Sequence, residues 1–160
     1  MPQSLSAVYG HAVFSTKERR SFLSDRDLRE SLHGYLGEIS KRLGCAPIRV
    51  GGVGDHVHIL ARLGRTITQA DWIKELKRAS TTWLKSQSDD SSHLTALSSL
   101  SKFSWQGGYS CFSVSVSKLE VVTAYIENQE THHKKHSFQD ELRTLLRKHG
   151  ETWDETYLWD

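Results

Sequence analysis

The chain has 160 residues, 37% of them hydrophobic, a formal net charge of +2 and a pI near 8.6. That length and the recurrence of Leu, Val and Ile fit one domain with a sizeable core and exclude disorder throughout, while the charge neither requires nor repels a nucleic acid. No apolar run spans a bilayer, the Met1-Pro2-Gln3-Ser4 start lacks signal-peptide character, and Cys45 and Cys111 match no ligand spacing, so a cytoplasmic protein with reduced thiols and no membrane partner is expected.

The first predicted element is a strand over Ala7–Thr16, followed by the basic turn Lys17-Glu18-Arg19-Arg20. Ser24 and Asp27 open a helix whose apolar positions are Leu28, Leu32, Tyr35, Leu36, Ile39 and Leu43, ending at Gly44. A second strand, Ala46–Val53, turns at Gly54-Asp55 into the run His56-Val57-His58-Ile59-Leu60. Thr68 and Asp71 open the next helix, which buries Trp72, Ile73, Leu76, Ala79, Trp83 and Leu84. Residues 87–104 read as a flexible serine-rich surface loop, and Phe103–Ser117 is strand-like. Ser117 and Glu120 then form a capping box for a helix carrying Leu119, Val122 and Ile126. A polar break, His132-His133-Lys134-Lys135-His136, precedes a last helix over Ser137–His149 and an aromatic tail over 150–160. The order strand, helix, strand, strand, helix, strand, helix matches an α+β, ferredoxin-like or split βαβ pattern in a single domain over 1–160. It implies an antiparallel sheet with helices packed mainly on one face.

Two pairs of residues point to chemistry. Side chains at i and i+2 of a strand share a face, so His56 and His58 present two imidazoles side by side on a rigid central element. Neutral imidazoles converging on one point make a metal claw; the alternative is polar decoration of an open sheet face. Tyr125 and Gln129 are one helical turn apart, placing a phenol and a carboxamide on one face. This suits a nucleophile beside a metal ligand, against the alternative of a core tyrosine with a solvated glutamine.

With both pairs in view, the chain resembles the HUH-type single-tyrosine transposases of the IS-two-hundred-like group. The matching stretches are His11-Ala-Val-Phe-Ser-Thr-Lys17, Gly54-Asp-His-Val-His-Ile-Leu60, Trp105-Gln-Gly-Gly-Tyr-Ser-Cys-Phe-Ser-Val-Ser115 and Tyr125-Ile-Glu-Asn-Gln-Glu-Thr-His-His133. The resemblance implies a transposase that nicks and rejoins single-stranded DNA at hairpin-marked ends. It implies Tyr125 as the nucleophile, which forms a 5′-phosphotyrosine intermediate, and His56, His58 and Gln129 as ligands of one divalent cation. It also implies a homodimer. Mixed nitrogen and oxygen donors suit Mg²⁺ or Mn²⁺.

Among other residues, Lys74, Lys77 and Arg78 on the second helix, and Lys17, Arg19 and Arg20 after the first strand, are candidate phosphate contacts or solvated charges. Trp105 and Tyr109 can stack on unpaired bases or serve the core. Asp55 reads as a turn residue, with a general base as the alternative. His132, His133 and His136 read as helix-end histidines, with a second metal site as the alternative, and the place of His11 stays open. Three further functions compete: a host-adopted endonuclease processing genomic hairpins, a non-catalytic single-strand-binding module, and a metal-dependent phosphodiesterase using water.

Overall fold

The computed structural model describes residues 1–90 and 99–160. Its elements are β1 (Tyr9–Ser15), α1 (Arg26–Arg42), β2 (Ala46–Val53), β3 (His56–Arg62), α2 (Gln69–Asp90), β4 (Ser110–Val114), α3 (Leu119–Glu127), α4 (Gln129–His132), α5 (Phe138–Lys148) and α6 (Glu155–Leu158). The strands form one antiparallel sheet in the order β2-β3-β1-β4. This is the expected α+β arrangement with the histidine strand β3 inside the sheet. Being paired along both edges, β3 has its backbone polar groups satisfied and is held as a fixed platform.

The period of two divides the sheet's side chains. Ala12, Phe14, Val57, Ile59 and Ala61 face α1 and α2, where Leu32, Leu36, Trp72, Ile73 and Leu76 complete the main core. Fully burying a large apolar side chain contributes about 1.5–3 kcal/mol, so this face anchors the two long helices. Their ends are capped: Asp25 accepts from the Leu28 amide (2.8 Å), one residue after the expected Ser24, and Thr68 accepts from the Asp71 amide (3.0 Å). On the opposite face Val13 packs with Phe112, Phe138, Leu142 and Leu146, so α5 closes the side on which His56 and His58 lie.

The helix α3 approaches β2 at Gly51, where a Cβ would stand 2.7 Å from both the Cγ2 and the carbonyl oxygen of Ile126. No other side chain allows this approach without displacing the helix. Gly51 is the cross-strand partner of His58, so the contact seats the residue after Tyr125 beside the histidine pair.

Several boundaries differ from expectation. The helix α2 continues to Asp90, so 87–90, the start of the expected serine-rich loop, are helical. Residues 91–98 of that loop lie outside the described residues, and Ser99–Lys102 form a 3-10 turn. The fourth strand is confined to Ser110–Val114. Ser117 does not cap α3: its hydroxyl pairs with that of Ser115 at 2.7 Å, and Lys118 precedes the helix with no side-chain cap. The tail is docked: Trp153, Leu158 and Trp159 pack against the α5 cluster, and the Gly108 amide donates to the Asp160 carbonyl at 2.9 Å. Cys45 and Cys111 are free thiols; burial raises the pKa of Cys111 to about 11.

Candidate active site and metal centre

The imidazoles of His56 and His58 are fully buried, with ring centroids 5.1 Å apart. The Tyr125 ring lies 5.7 Å from that of His58, and the half-buried phenol borders a groove of about 420 Å³ lined by His11, Phe112, Val121 and Val122. That volume is within the range of ligand-binding sites. The helix pauses at Asn128 (φ −94°, ψ 19°), and Gln129 begins α4. Despite the break Gln129 remains aimed inward: it is 1% exposed, and its Oε1 lies 3.1 Å from His56 Nε2. The structure therefore brings Tyr125, His56, His58 and Gln129 together within a single chain.

Three residues that the sequence reading did not select complete the cluster. Glu141, on the buried face of α5, is 3% exposed. Its Oε1 lies 3.2 Å from His56 Nε2, 3.0 Å from His58 Nε2 and 3.2 Å from His133 Nε2. Its Oε2 accepts from the Tyr125 hydroxyl and from Gln129 Nε2 (3.0 Å). His133 Nε2 is also 2.9 Å from Gln129 Oε1. His11 Nε2 meets His58 Nδ1 at 2.8 Å and so orients that ring. His132 Nε2 comes within 3.3 Å of Glu141 Oε2 but off the line of a hydrogen bond.

Sequence signals existed for two of these residues. Glu141 interrupts the apolar stripe Phe138, Leu142, Leu145 and Leu146, so helical spacing puts its carboxylate on the packed side of α5. His133 is four residues after Gln129, hence on its face. His11 belongs to a strand whose alternation aligns it with Val13, but nothing in its spacing tells a buried ring from a site ring.

The electrostatics of the cluster follow from burial and hydrogen bonds. Burial works against a charged His56, but Asp55 and Glu141 outweigh it and hold its pKa up to about 9. Burial dominates at His58 and lowers its pKa despite Glu141. Burial, with His58 nearby, lowers that of His11 to about 3, leaving it neutral at pH 7. Burial also works against the Glu141 carboxylate, but hydrogen bonds from His133, His56 and His58 hold its pKa well below the usual range. The Tyr125 phenol is pushed up, first by burial and then by the negative charge of Glu141. The nucleophile candidate is thus held protonated, and positive charge is favoured between the imidazoles and the carboxylate. The grouped donors of His56, His58, His133 and Glu141 all lie within 4.8 Å of one another and fit a divalent metal.

The basic candidates lie elsewhere. The helix α2 is across the sheet from the imidazoles. Lys77 donates to the carbonyls of Gln106 (2.9 Å) and Gly108 (2.7 Å), pinning the segment before β4, and burial lowers its pKa to about 8. Arg78 pairs with Glu75, and Arg20 with Glu18. The Arg19 guanidinium sits 5.5 Å over the Trp159 ring. Lys17 and Lys74 are exposed. Trp105 is a core residue, donating to Ser80 Oγ at 3.0 Å, whereas Tyr109 is exposed. Asp55 accepts from His56 Nδ1 (2.7 Å), fixing that ring from the turn.

The fold and the site define a protein that presents a tyrosine hydroxyl beside a buried nest of imidazole, amide and carboxylate donors. The chain belongs to the IS200-like transposase family: the family model described as "Transposase IS200 like" matches residues 4–129. No curated protein sequence matches it. A crystal structure of a Deinococcus radiodurans protein assigned as a transposase is 24% identical. The likeness covers 81% of this chain and 95% of that one, with a TM-score of 0.59. A REP-associated tyrosine transposase bound to a REP hairpin is 12% identical over 83% of this chain and 72% of that one, with a TM-score of 0.55. These two likenesses concern the fold. Membership of the family makes the protein a DNA-processing enzyme of the transposase class. Among the described residues no helix is long and apolar enough to cross a membrane.

Proposed function

We propose that the protein is a metal-dependent transposase for single-stranded DNA, nicking and rejoining hairpin-marked ends through a 5′-phosphotyrosine on Tyr125. The observation that supports this reading most is the convergence of Tyr125 from α3, His56 and His58 from β3, and Gln129 from α4 on one point. His56, His58 and Gln129 would hold Mg²⁺ or Mn²⁺. When bound, the cation supplies Lewis-acid polarisation of the scissile phosphate and neutralises charge that builds there.

The chain's own residues account for the rest. The β3 platform fixes the imidazoles, and the Gly51 contact seats α3 so that the phenol faces them. The groove beside Tyr125 offers apolar walls to a nucleotide, with Lys118 and Lys148 among its lining residues. The Tyr125 proton is directed at Glu141 Oε2, its nearest acceptor. Attack forms the Tyr125 oxygen–phosphorus bond and breaks the bond to the 3′ oxygen, which takes up the proton given up by the phenol, through Glu141 or water, and leaves as a 3′-hydroxyl. The 5′ side stays on the tyrosine, and the energy retained in that phosphodiester lets another 3′-hydroxyl reseal the strand. The cluster closes within one chain; a homodimer would pair two DNA ends, with Tyr125 of either protomer serving a histidine pair. A cytoplasmic location suits this substrate and the two free thiols.

The test is incubation of the protein with a pool of labelled single-stranded hairpins and Mn²⁺. A labelled species migrating with the protein on a denaturing gel, absent with chelator and absent in Tyr125→Phe, supports the reading. Metal-dependent cleavage that persists in Tyr125→Phe means water is the nucleophile, and tight binding without cleavage means a non-catalytic module; either outcome overturns it.

A further inference from the structure

Glu141 and His133 lie beyond the segment shared with the family, which ends at residue 129, yet both point into its metal site. We propose that they are ligands of the same cation, giving a site of three imidazoles, one amide oxygen and one carboxylate that prefers a first-row transition-metal dication to Mg²⁺. This rests on the metal reading given above and deepens it.

Three observations carry the proposal. The first is orientation. Each imidazole is tied on its Nδ1 side to a group outside the proposed ligand set, with Nε2 turned inward. His56 Nδ1 meets Asp55 Oδ1 at 2.7 Å, His58 Nδ1 meets His11 Nε2 at 2.8 Å, and His133 Nδ1 donates to the His136 carbonyl at 2.7 Å. An outer partner on one ring nitrogen is what fixes the other as a metal donor. His133 therefore has the same outer support as the two strand histidines.

The second observation is spacing. Glu141 Oε1 is 3.0–3.2 Å from all three Nε2 atoms, and Gln129 Oε1 is 3.1 and 2.9 Å from two of them. Neighbouring donors around a six-coordinate ion with bonds of about 2.1–2.2 Å are about 3.0–3.1 Å apart. The observed separations, which are also hydrogen-bond lengths, match those of ligands sharing one ion, so a bound cation would replace the protons now shared between these atoms without moving the side chains apart.

The third is charge and rigidity. A carboxylate that is 3% exposed has positive charge as its natural complement. Glu141 is not a flexible surface group swung inward. It is set by α5, which Ser137 caps and which Phe138, Leu142 and Leu146 anchor to the sheet. Imidazole donors favour ions such as Co²⁺, Ni²⁺ or Zn²⁺, with Mn²⁺ the weakest binder of the first-row series and yet more tolerant of nitrogen than Mg²⁺, which prefers oxygen ligands and keeps several waters. Adding a third imidazole to the strand pair moves the site away from Mg²⁺, and the carboxylate raises affinity for any dication. Because its other oxygen accepts the Tyr125 proton, Glu141 also ties the cation to the nucleophile.

The experiment is calorimetric titration of Mn²⁺ and Mg²⁺ into the chelator-treated full chain, with Glu141→Gln and His133→Ala beside it. Pulsed electron paramagnetic resonance of the Mn²⁺-loaded wild type then counts coupled imidazole nitrogens. Expected are one Mn²⁺ per chain bound at least ten-fold tighter than Mg²⁺, a ten-fold or greater loss in each variant, and three coupled nitrogens. Two coupled nitrogens, or Glu141→Gln binding Mn²⁺ as well as or better than wild type, overturns the proposal and makes the carboxylate an occupant of the ion's place. The nitrogen count needs no variant and decides the place of His133 even if a variant does not fold. Labelling the glutamates of the wild type with ¹³C, read by the same pulsed method, decides that of Glu141: a ¹³C coupling to Mn²⁺ is expected, and its absence overturns the assignment. Neither readout requires DNA. A Tyr125 adduct without these signatures sinks only the ligand assignment, and the signatures without an adduct sink only the transposase chemistry.

Discussion

Gly51→Ala tests how the fold delivers the tyrosine. The new Cβ would stand 2.7 Å from Ile126 Cγ2 and 2.7 Å from the Ile126 carbonyl oxygen. Reaching an ordinary contact of 3.4 Å requires α3 to move by about 0.7 Å away from β2. Overpacking of this kind costs about 1–3 kcal/mol, which for a chain of this size lowers Tm by several degrees, on the order of 5 °C. Tyr125 is adjacent to the displaced residue, and a misplacement of about 1 Å can cost about 100-fold in rate. The expected outcome is a folded protein whose single-turnover rate of DNA adduct formation falls by roughly 10–100-fold. Adding Ile126→Leu removes the Cγ2 branch but leaves the carbonyl in place, so the double variant stays slow. Wild-type Tm and rate in Gly51→Ala would refute the reasoning. Full rescue by Ile126→Leu would show that a side chain, and not the helix backbone, sets the approach.

Arg29, buried, donates to the carbonyls of Leu23 and Ser24 and to Glu130. Its replacement by Met should cost about 1–3 kcal/mol in urea unfolding, and an unchanged midpoint would count against that role. Lys77→Met should lower the urea midpoint because Gln106 and Gly108 lose their donor. Lys74→Ala should leave it unchanged and, if Lys74 meets phosphate, reduce the salt slope for single-stranded DNA by about 0.7. Glu155 accepts from Arg143, Trp153 and Trp159, which together lower its pKa from 4.5 to about 2. A depressed carboxylate stabilises the docked tail above about pH 4.5 and loses that contribution as pH falls through about 2. Tryptophan fluorescence should therefore titrate across this window in wild type and not in Glu155→Gln.

The legible part of the site was the part written in short periods. His56 and His58 are two apart on a strand bounded by turn residues, and Tyr125 and Gln129 are four apart with helical neighbours. Local spacing sufficed to give each pair a common direction. That the two pairs meet depends on Gly51, whose role is a close approach between elements and leaves no periodic trace. Glu141 escaped because a glutamate on a surface-type helix is usually solvated. Its burial follows only once the stripe from Phe138 to Leu146 is laid against β1 and β4. By sequence His133 groups with its neighbours His132 and His136 as a polar helix end. The structure separates them: His133 turns inward from Gln129's face, and His136 supplies a carbonyl that orients it. Lys77 shows the converse, a basic residue in an apparent phosphate strip whose ammonium is committed to backbone carbonyls.

In the proposed reaction one phenolic oxygen on α3, that of Tyr125, becomes bonded to phosphorus. Peptide mapping by mass spectrometry after reaction with a hairpin oligonucleotide and Mn²⁺ reads this directly. A nucleotide mass on the fragment containing Tyr125 and a free 3′-hydroxyl on the released strand are the expected result. A modification on any other residue, or released strands with every tyrosine unmodified, would contradict it.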